Sequence, residues 1–368
     1  MILGSGRVLI VGPQPPPVGG DTVLTANLLS SRYWKEAGFE TEGLNTSSGG
    51  GVRLPGDGRT PADAARAARI LGGLVRKIGG CRVVLLLVNS SFLCTLGVPV
   101  MSICRLRGRP YIVKPFGTFL PDRLRSLGRR RRDSVVRGLA ASWRVLPETL
   151  LMRDELVSIT GLDESRFAHL PNFIPDRYLE RHLERRAFSG KLVFAGQIKS
   201  EKGVFEIIEA LAEMPRMRCD FFGPLYQGDR EAFLDRIASS GNCDYGGLVE
   251  SGRVMEKMSE YDVLLLPSRH PGEGYPAVVL EAFAAGLPVI ATRWRSLPEL
   301  IEDGRTGLLV PPGSPAGIIE ALRSLESGKD LYMEMAANAR RRAEDFCERK
   351  VIGDILIGLV RGAAGEEV

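Results

Sequence analysis

Two glutamates in the second half of the chain, Glu273 and Glu281, have the type and spacing for binding chemistry. Glu281 stands within an apolar run of valine, leucine, alanine and phenylalanine, where an unpaired charge is costly. The short apolar run Val263–Leu266 before them predicts a buried parallel strand. Pro276 favours the first position of a helix that continues to Ala285. The two carboxylates are therefore expected on either side of the start of a helix that follows a strand.

A helix N-terminus after a parallel strand is where α/β folds bind phosphate, because unpaired N–H groups and the helix dipole favour an anion there. A carboxylate about one turn further along can accept hydrogen bonds from ribose hydroxyls, as acidic residues do in dinucleotide sites. Glu281 is placed for that role, and Glu273 lies in the loop before the helix. The alternative is that Glu281 forms an ion pair with an arginine of the core, and residue type alone leaves both interpretations open.

The segment around these glutamates resembles a known enzyme family. Glu273 and Glu281, with seven residues between them inside GEGYPAVVLEAFAAGLPVIAT, are similar to the E-x7-E signature of the family 4 retaining glycosyltransferases, a family of group 1 glycosyltransferases. The resemblance covers residues 190–345 and includes three further motifs in the expected order: Gly196 with Glu201-Lys202-Gly203, Leu297-Pro298-Glu299-Leu300-Ile301, and Gly304-Arg305-Thr306-Gly307-Leu308-Leu309-Val310. It implies the GT-B fold, an α/β fold in which two Rossmann-like domains with doubly wound parallel sheets face each other across a cleft.

The resemblance also implies roles for particular residues. Glu273 would contact the donor sugar, Glu281 the ribose and Lys202 the diphosphate, and Glu273 and Lys202 would be the catalytic residues. The alternative for Lys202 is an exposed lysine at the start of a helix. The donor-binding set that the resemblance implies comprises Gly19, Gly20, Gly196, Gln197, Lys202, Glu273, Gly274, Tyr275, Pro276 and Glu281.

The chain departs from the family pattern at two positions. Gln197 stands where relatives carry an arginine that contacts the diphosphate, so either donor affinity is weaker or Arg269 or Arg293 compensates. Phe116 stands where many relatives carry a histidine, so a catalytic histidine of the first domain cannot be carried over. No Asp-x-Asp motif is present in the sequence. Positive groups are therefore expected in place of a metal ion, and no cofactor is predicted.

The first half of the chain predicts another α/β domain. Arg7–Val11 predicts a strand that leads through a proline-rich loop to Gly19-Gly20 and then to a helix over 21–37. Paired glycines at a helix start let backbone N–H groups approach an anion, although a plain turn has the same composition. The glycine-rich stretch Thr46–Thr60 predicts a mobile loop, interpreted either as an acceptor-side flap or as an insertion without function.

Charge is divided unevenly along the chain. Residues 1–190 contain 28 Lys and Arg against 16 Asp and Glu, a balance of +12, and the remaining residues contain 21 against 28, a balance of −7. Seven arginines fall within Arg123–Arg137, interleaved with apolar residues. Such a segment fits an anionic membrane surface or a phosphate-bearing acceptor, and the alternative is a solvated helix face. No nucleic-acid recognition module is present, so nucleic acid is not a predicted partner.

Size and composition are those of a globular protein with two ordinary domains. The chain has 368 residues, of which 44% are hydrophobic and 25% charged. The six cysteines are scattered without a C-x-x-C pair and no signal peptide is recognised, so a cytoplasmic location is predicted, with peripheral contact at the inner face of the cell membrane. Val83–Cys104 carries no charge, but Asn89-Ser90-Ser91 interrupts it, which favours a strand, a turn and a helix over a membrane span.

These observations together predict an enzyme. Residues 1–180 are expected to form the acceptor-side domain, 190–345 the nucleotide-sugar domain, and 346–368 a C-terminal helix that crosses back to the first domain. The predicted reaction is retaining, metal-independent transfer of a hexosyl sugar from a UDP- or GDP-sugar to a glycolipid or a lipid-linked or cell-surface polysaccharide. Two alternatives remain open: a sugar-nucleotide epimerase of the same fold, and a non-catalytic protein that binds nucleotide sugars.

Overall fold

The chain forms two α/β units. The computed structural model describes residues 6–16, 19–47, 61–181, 187–250 and 252–366. One compact unit consists of Met1–Asn172 together with Glu348–Val368, and the other of Phe173–Cys347. Each unit is built around one parallel sheet with helices between successive strands, so the predicted fold class of two Rossmann-like parallel-sheet domains is confirmed. The predicted loop Thr46–Thr60 lies outside the described residues from position 48 onward.

In its described residues, the first unit contains a five-stranded sheet in which neighbouring strands are parallel. The strands are β1 Gly6–Gly12, β2 Phe39–Asn45, β3 Val83–Asn89, β4 Tyr111–Phe116 and β5 Arg144–Val145. Their order, β2-β1-β3-β4-β5, reverses between β1 and β3, which is the switch point of a flavodoxin-type sheet. Strand β3 is buried along nearly its whole length, as expected for a strand covered on both faces.

The helices of the first unit connect these strands. α-Helices span Gly20–Ser30, Arg32–Glu36, Pro61–Lys77, Ser90–Phe92, Val98–Leu106, Leu120–Ser126, Arg129–Ala140, Leu150–Thr160 and Ile357–Ala363, π-helical turns span Leu93–Gly97 and Arg349–Leu356, and 3-10 turns span Ile78–Gly80 and Glu164–Arg166. The helix predicted over 21–37 is two helices, because the backbone is extended at Ser31, whose side chain accepts a hydrogen bond from the Tyr33 N–H. None of the described helices is long and apolar enough to span a membrane.

The last residues of the chain pack within the first unit. Gly353 lies against the ring of Tyr33, where a Cβ atom would be 3.2 Å from the ring. Arg82 forms an ion pair with Glu366 at 2.6 Å. These contacts fix the C-terminal helix beside the start of the first unit.

In the described part of the second unit, six parallel strands form one sheet. They are β6 Lys191–Ala195, β7 Arg218–Phe222, β8 Cys243–Gly247, β9 Val263–Leu266, β10 Val289–Thr292 and β11 Gly307–Val310. The order β11-β10-β9-β6-β7-β8 is that of a dinucleotide-binding Rossmann sheet, with its switch point between β6 and β9. Strand β9 has the bounds that the sequence predicts, because it is an apolar run that Pro267 stops.

Helices cover the second sheet. α-Helices span Arg177–Glu180, Val204–Ala212, Arg230–Ser239, Val254–Met258, Ala277–Ala284, Leu297–Leu300, Pro315–Ser327 and Lys329–Ala343, and 3-10 turns span Ser200–Lys202 and Glu344–Phe346. Pro276 is the N-cap of its helix and not the predicted first helical residue, because its ψ of 127° is extended. Aromatic rings fill the core between sheet and helices, with Phe221 5.7 Å from Phe194 and 5.4 Å from Phe233 between ring centroids.

A close backbone contact at Gly203 sets the geometry of the carboxyl edge of the second sheet. Gly203 has a φ of 79°, and a Cβ atom there would lie 2.3 Å from the carbonyl oxygen of Pro267, the residue that ends β9. Only glycine tolerates both the left-handed conformation and this approach. Because Lys202 precedes Gly203 directly, the contact holds Lys202 beside the loop that follows β9.

Substitution of Gly203 by alanine is expected to destabilise the second unit by about 2 kcal/mol or more, since left-handed strain adds to a backbone clash. Gly304→Ala is the matched control, because Gly304 has a φ of 75° but no atom within 4 Å of a Cβ. That control should cost only the conformational strain, about 1 to 2 kcal/mol. Thermal and chemical unfolding of both variants measure the difference, and equal losses would contradict the importance of the Pro267 contact.

Candidate active site

The carboxyl edge of the second sheet, between β6 and β9, brings together polar residues that the sequence singled out. Ligands of open α/β sheets bind beyond the strand ends at such a switch point. Gly196 and Gln197 follow β6 directly and are exposed. The loop after β9 runs through Glu273 to Pro276, where the Ala277–Ala284 helix begins. Its helix N-terminus therefore lies at the edge where ligands bind.

Lys202 and Glu273 form an ion pair at this edge. The Lys202 Nζ lies 3.0 Å from Glu273 Oε1 and 2.7 Å from Oε2, so the ammonium group contacts both oxygens. The side chain of Glu273 is 5% exposed and that of Lys202 19% exposed. Ser268 donates a further hydrogen bond from Oγ to Glu273 Oε2. Lys202 is therefore the partner of a buried carboxylate, and the alternative of an exposed lysine at a helix start is wrong.

The loop after β9 is tied to its neighbours on both sides. The Ser268 carbonyl accepts a hydrogen bond from Thr292 Oγ1 at the end of β10. The Arg269 N–H donates to the Glu201 carbonyl at 2.8 Å, in the turn that carries Lys202. These contacts explain how one short loop holds Glu273 in reach of a lysine from a different strand connection.

Glu281 lies in the helix after this loop, and its carboxyl group has no hydrogen bond or ion pair with any residue that the structure describes. The surrounding protein buries its carboxyl group and raises the pKa to about 8. The alternative of an ion pair with a core arginine does not hold for the described residues. Arg340 passes close by, but it donates to backbone carbonyls, including those of Tyr178 and Leu179.

The first unit has a cavity at its own switch point, between β1 and β3. Its volume is about 430 Å³, and its walls include Gly19, Gly20, Asp21, Asn89 and Arg66. The protein around the Asp21 carboxyl group raises its pKa to about 6, the charge of Glu148 adds to this, and Lys114 opposes it. Gly19 and Gly20 thus line a polar cavity at the start of a helix, and their role in binding an anion stays a prediction. We call this space the first-unit cavity.

Buried groups stand next to this cavity on β4. Lys114 is 3% exposed and donates from Nζ to the Leu170 carbonyl at 2.8 Å. Burial lowers the pKa of Lys114 to about 8, against the opposing effects of Glu148 and Asp21. Phe116 is 4% exposed at the end of the same strand. The position where many relatives carry a histidine is therefore part of the apolar interior.

Residues 183–342 match the family model described as glycosyl transferases group 1. Over these residues the chain is similar to the group 1 glycosyl transferases. The matched residues contain the second sheet, the Lys202–Glu273 pair and Glu281, so the resemblance that the sequence motifs predicted is confirmed. The narrower assignment to family 4 stays a prediction.

Curated relatives of this group 1 domain include two Streptomyces enzymes. An exopolysaccharide phosphotransferase of Streptomyces coelicolor is 29% identical over 265 residues, which cover 66% of this chain and 27% of that protein. The alpha-D-kanosaminyltransferase of Streptomyces kanamyceticus is 28% identical over 233 residues, which cover 59% of this chain and 60% of that protein. The chain thus spans less than two thirds of the length of either relative.

A solved structure resembles nearly the whole chain. Anabaena HepE in complex with UDP has a TM-score of 0.75 and 13% identity, covering 97% of this chain and 100% of that chain. At this identity the likeness concerns the fold alone, and it confirms the predicted GT-B class.

The remaining predicted donor-binding residues of the group 1 domain have different surroundings. Gly274 is buried, and the Tyr275 side chain is 3% exposed. The Tyr275 hydroxyl lies 3.1 Å from Glu299 Oε2, and its ring packs against Phe346 with 6.0 Å between centroids. The Tyr275 side chain therefore belongs to the packed interior of the domain, whereas Gly196 and Gln197 are exposed at the strand end.

The two arginines expected to compensate for Gln197 are both in ion pairs. Arg269 contacts Glu206 at 2.7 Å, and Arg293 contacts Asp303. Their side chains are 44% and 55% exposed, so these pairs are weak in water. Neither arginine is an unpaired cation at the edge of the group 1 domain.

Sequence reasoning missed Ser268 and His270 as site residues. Ser268 has no solvent exposure and donates to Glu273, and His270 lies two residues later in the same loop. A usable signal was present: one of only three histidines in the chain lies four residues after an apolar strand and three residues before the first glutamate of the pair. That signal identifies a site residue only together with the hydrogen bonds of the loop, which sequence spacing does not reveal.

Glu281→Gln is expected to stabilise the protein at alkaline pH relative to wild type. The pKa of the Glu281 carboxyl group is 4.5 in the unfolded chain, and burial raises it to about 8 in the folded protein. The neutral carboxyl group therefore contributes fully to the free energy of unfolding below pH 4.5, and this contribution is lost as the pH rises through 8. Glutamine stays neutral throughout. The advantage of the variant should grow by up to about 1.4 kcal/mol per pH unit between these limits.

Melting temperatures of both proteins at a series of pH values check this expectation. The gain near the alkaline limit should be on the order of several degrees. A difference between variant and wild type that stays constant across the series would show that the Glu281 carboxyl group is not held neutral by the fold.

Proposed function

We propose that this protein is a retaining, metal-independent glycosyltransferase that moves a sugar from a nucleotide-sugar donor to a lipid-linked or cell-surface polysaccharide acceptor. The observation that carries the proposal is the buried Lys202–Glu273 pair, with Glu281 in the following helix, at the switch point of a group 1 glycosyl transferase domain. A cation and two carboxylates at the ligand edge of a Rossmann sheet suit a nucleoside diphosphate joined to a sugar.

The proposed donor is a UDP- or GDP-sugar. HepE, which shares the fold of this chain, is described in complexes with UDP and with UDP-glucose. In our proposal Glu281 accepts hydrogen bonds from the ribose hydroxyls, Lys202 faces the diphosphate and Glu273 contacts the sugar. The ribose then supplies the partners that the Glu281 carboxyl group lacks among the described residues, and its charged form becomes favourable.

The proposed reaction needs charge stabilisation more than proton transfer by the protein. The bond between the anomeric carbon and a diphosphate oxygen breaks, and a bond from that carbon to an acceptor oxygen forms. Negative charge grows on the leaving diphosphate, and Lys202 with the N–H groups at the start of the Ala277–Ala284 helix stabilises it in place of a metal ion. The acceptor proton passes to the leaving phosphate oxygen on the same face of the sugar, which retains the configuration.

The first-unit cavity is the proposed acceptor site. A volume of about 430 Å³ lies within the range of small-molecule pockets and accommodates a sugar ring. Asp21 accepts hydrogen bonds and the Asn89 amide group donates them, so the cavity matches a ligand rich in hydroxyl groups. The Phe116 side chain cannot transfer a proton. The proposal therefore assigns the proton transfer to the donor phosphate.

The decisive experiment is a thermal-shift screen against UDP, GDP, ADP and their sugars, followed by product analysis. A ligand that binds the folded state raises the melting temperature. Transfer to an added acceptor, unchanged by EDTA, supports the proposal. Conversion of the donor sugar without an acceptor would identify an epimerase, and binding without any product would identify a non-catalytic protein.

Lys202→Met and Glu273→Gln are expected to lower sugar transfer by about a hundredfold or more, because each removes a group proposed to act on the reacting centre. Lys257→Met is the matched control, since Lys257 forms an ion pair with Glu260 at 2.7 Å on the surface of the same unit. The control should keep nearly full activity. Steady-state rates with folded protein measure the effect, and full activity of either site variant would refute the assigned roles.

The basic segment Arg123–Arg137 forms two helices whose apolar residues mostly face inward. Leu124, Val135 and Leu139 have no solvent exposure, so they serve the core of the first unit. Most of the arginines are exposed, and nearby Phe119 and Trp143 are 41% and 39% exposed. The surface available to a partner is therefore positively charged and has two exposed aromatic rings. We propose that it binds an anionic membrane surface that carries the acceptor.

Replacing Arg130, Arg131 and Arg132 together by glutamine is expected to weaken binding to vesicles that contain phosphatidylglycerol by about tenfold or more, as each basic residue near an anionic surface contributes ~1 kcal/mol. A matched control replaces three exposed arginines of the second unit, Arg216, Arg236 and Arg323. Flotation at physiological salt measures binding. Equal binding of the two triple variants, or no binding of wild type, would remove the membrane assignment.

A further inference from the structure

The loop after β9 holds His270 in a fixed position. Its backbone N–H donates to Ser268 Oγ at 3.2 Å, and its carbonyl accepts from the Glu273 N–H at 3.1 Å. The same carbonyl accepts from Trp294 Nε1 at 2.8 Å. With both backbone groups bonded, the loop orients the imidazole ring relative to the Lys202–Glu273 pair.

The ring itself has a defined tautomer. Gly272 donates its backbone N–H to His270 Nδ1 at 3.2 Å, so Nδ1 is the unprotonated nitrogen and Nε2 carries the proton. Burial and the charge of Lys202 lower the pKa of His270, as does Lys199, while Glu273 and Glu201 oppose them. A second proton would have to enter at Nδ1, where it would meet the Gly272 N–H. His270 is therefore held as a neutral side chain with its donor at Nε2.

The location of that donor is the ligand edge of the second sheet. His270 Nε2 lies 3.7 Å from Glu201 Oε2, in the turn that also carries Lys202, and the side chain is 23% exposed. The edge is poor in available positive charge. Lys199 is paired with Glu201, Arg269 is paired with Glu206, and Gln197 carries no charge.

We propose that His270 is a donor-binding residue that gives its Nε2–H to a diphosphate oxygen of the nucleotide sugar. This inference rests on the proposed function and adds to it a residue that supplies a neutral hydrogen-bond donor. A neutral donor stabilises the diphosphate without repelling the nearby Lys202. The Gly272 N–H contact at Nδ1 favours this neutral form of the ring.

A purely structural role predicts something different. If His270 serves only to accept the Gly272 N–H, then Nδ1 is the atom that matters and Nε2 is dispensable. Two substitutions separate these roles. His270→Asn keeps an acceptor near the Nδ1 position and loses the distal donor, whereas His270→Gln keeps a donor near the Nε2 position and loses the acceptor.

Calorimetric titration of UDP-glucose, with GDP-mannose as the second probe, tests the proposal on the full chain. His270→Asn should weaken nucleotide-sugar binding by about ten- to a hundredfold, the usual effect of a lost hydrogen bond to a charged group. His270→Gln should retain most of the affinity. Uridine, which lacks the diphosphate, should bind all three proteins alike in an NMR titration. His169→Asn, in the first unit, is the matched control and should bind like wild type.

Each result decides between the two roles. A loss confined to His270→Gln, or equal losses in both variants, would overturn the proposal and identify His270 as a loop anchor. Melting temperatures report whether the loop survives each substitution. Failure of wild type to bind either nucleotide sugar would refute the proposed function itself, and the inference with it, whereas binding that is unaffected in His270→Asn would refute the inference alone.

Discussion

The ion pair between Lys202 and Glu273 is the interaction on which the ligand edge of the second unit depends. Both groups are largely withdrawn from water, so each would be costly without the other. The pair also joins the turn after β6 to the loop after β9, the two connections that meet at the switch point. The close approach of Gly203 to Pro267 brings these connections together sterically. The ion pair and the packing contact therefore both require the two connections to lie side by side.

Both units have a carboxylate without a described side-chain partner on a helix that follows a strand at the switch point. In the second unit it is Glu281, and in the first it is Asp21 beside the first-unit cavity. The surrounding protein raises both pKa values. Groups with shifted pKa values concentrate at functional sites. In each unit, this carboxylate is therefore the group best placed to accept hydrogen bonds from hydroxyl groups of a ligand.

Positive charge is distributed in an unexpected way. The arginines expected to compensate for Gln197 are engaged with Glu206 and Asp303. The largest cluster of arginines lies instead on the surface of the first unit, where its apolar neighbours are used by the core. In our proposal His270 Nε2–H is a neutral donor that acts beside Lys202 in holding a diphosphate at the second sheet. The number of charged residues along the sequence therefore does not predict which of them are available to bind a ligand.

The sequence alone predicted elements whose signals are local. The apolar run of β9, which Pro267 stops, had the predicted bounds. The spacing of Glu273 and Glu281 indicated a group 1 domain, and the family match confirmed it. The continuous helix predicted over 21–37 was wrong, because the single cap at Ser31 breaks the pattern.

Only the tertiary structure decided which of these residues meet. Lys202 and Glu273 are 71 residues apart, and their contact follows from the strand order that makes β6 and β9 neighbours. The hydrogen bonds that orient His270, the ion pairs of Arg269 and Arg293, and the isolation of Glu281 likewise depend on contacts between separate strand connections. Hydrophobic periodicity and the glycine, proline and capping residues that end an element act over a few residues, so they determine helices and strands. Partnership among charged groups is set by sheet order and packing, which no local pattern encodes.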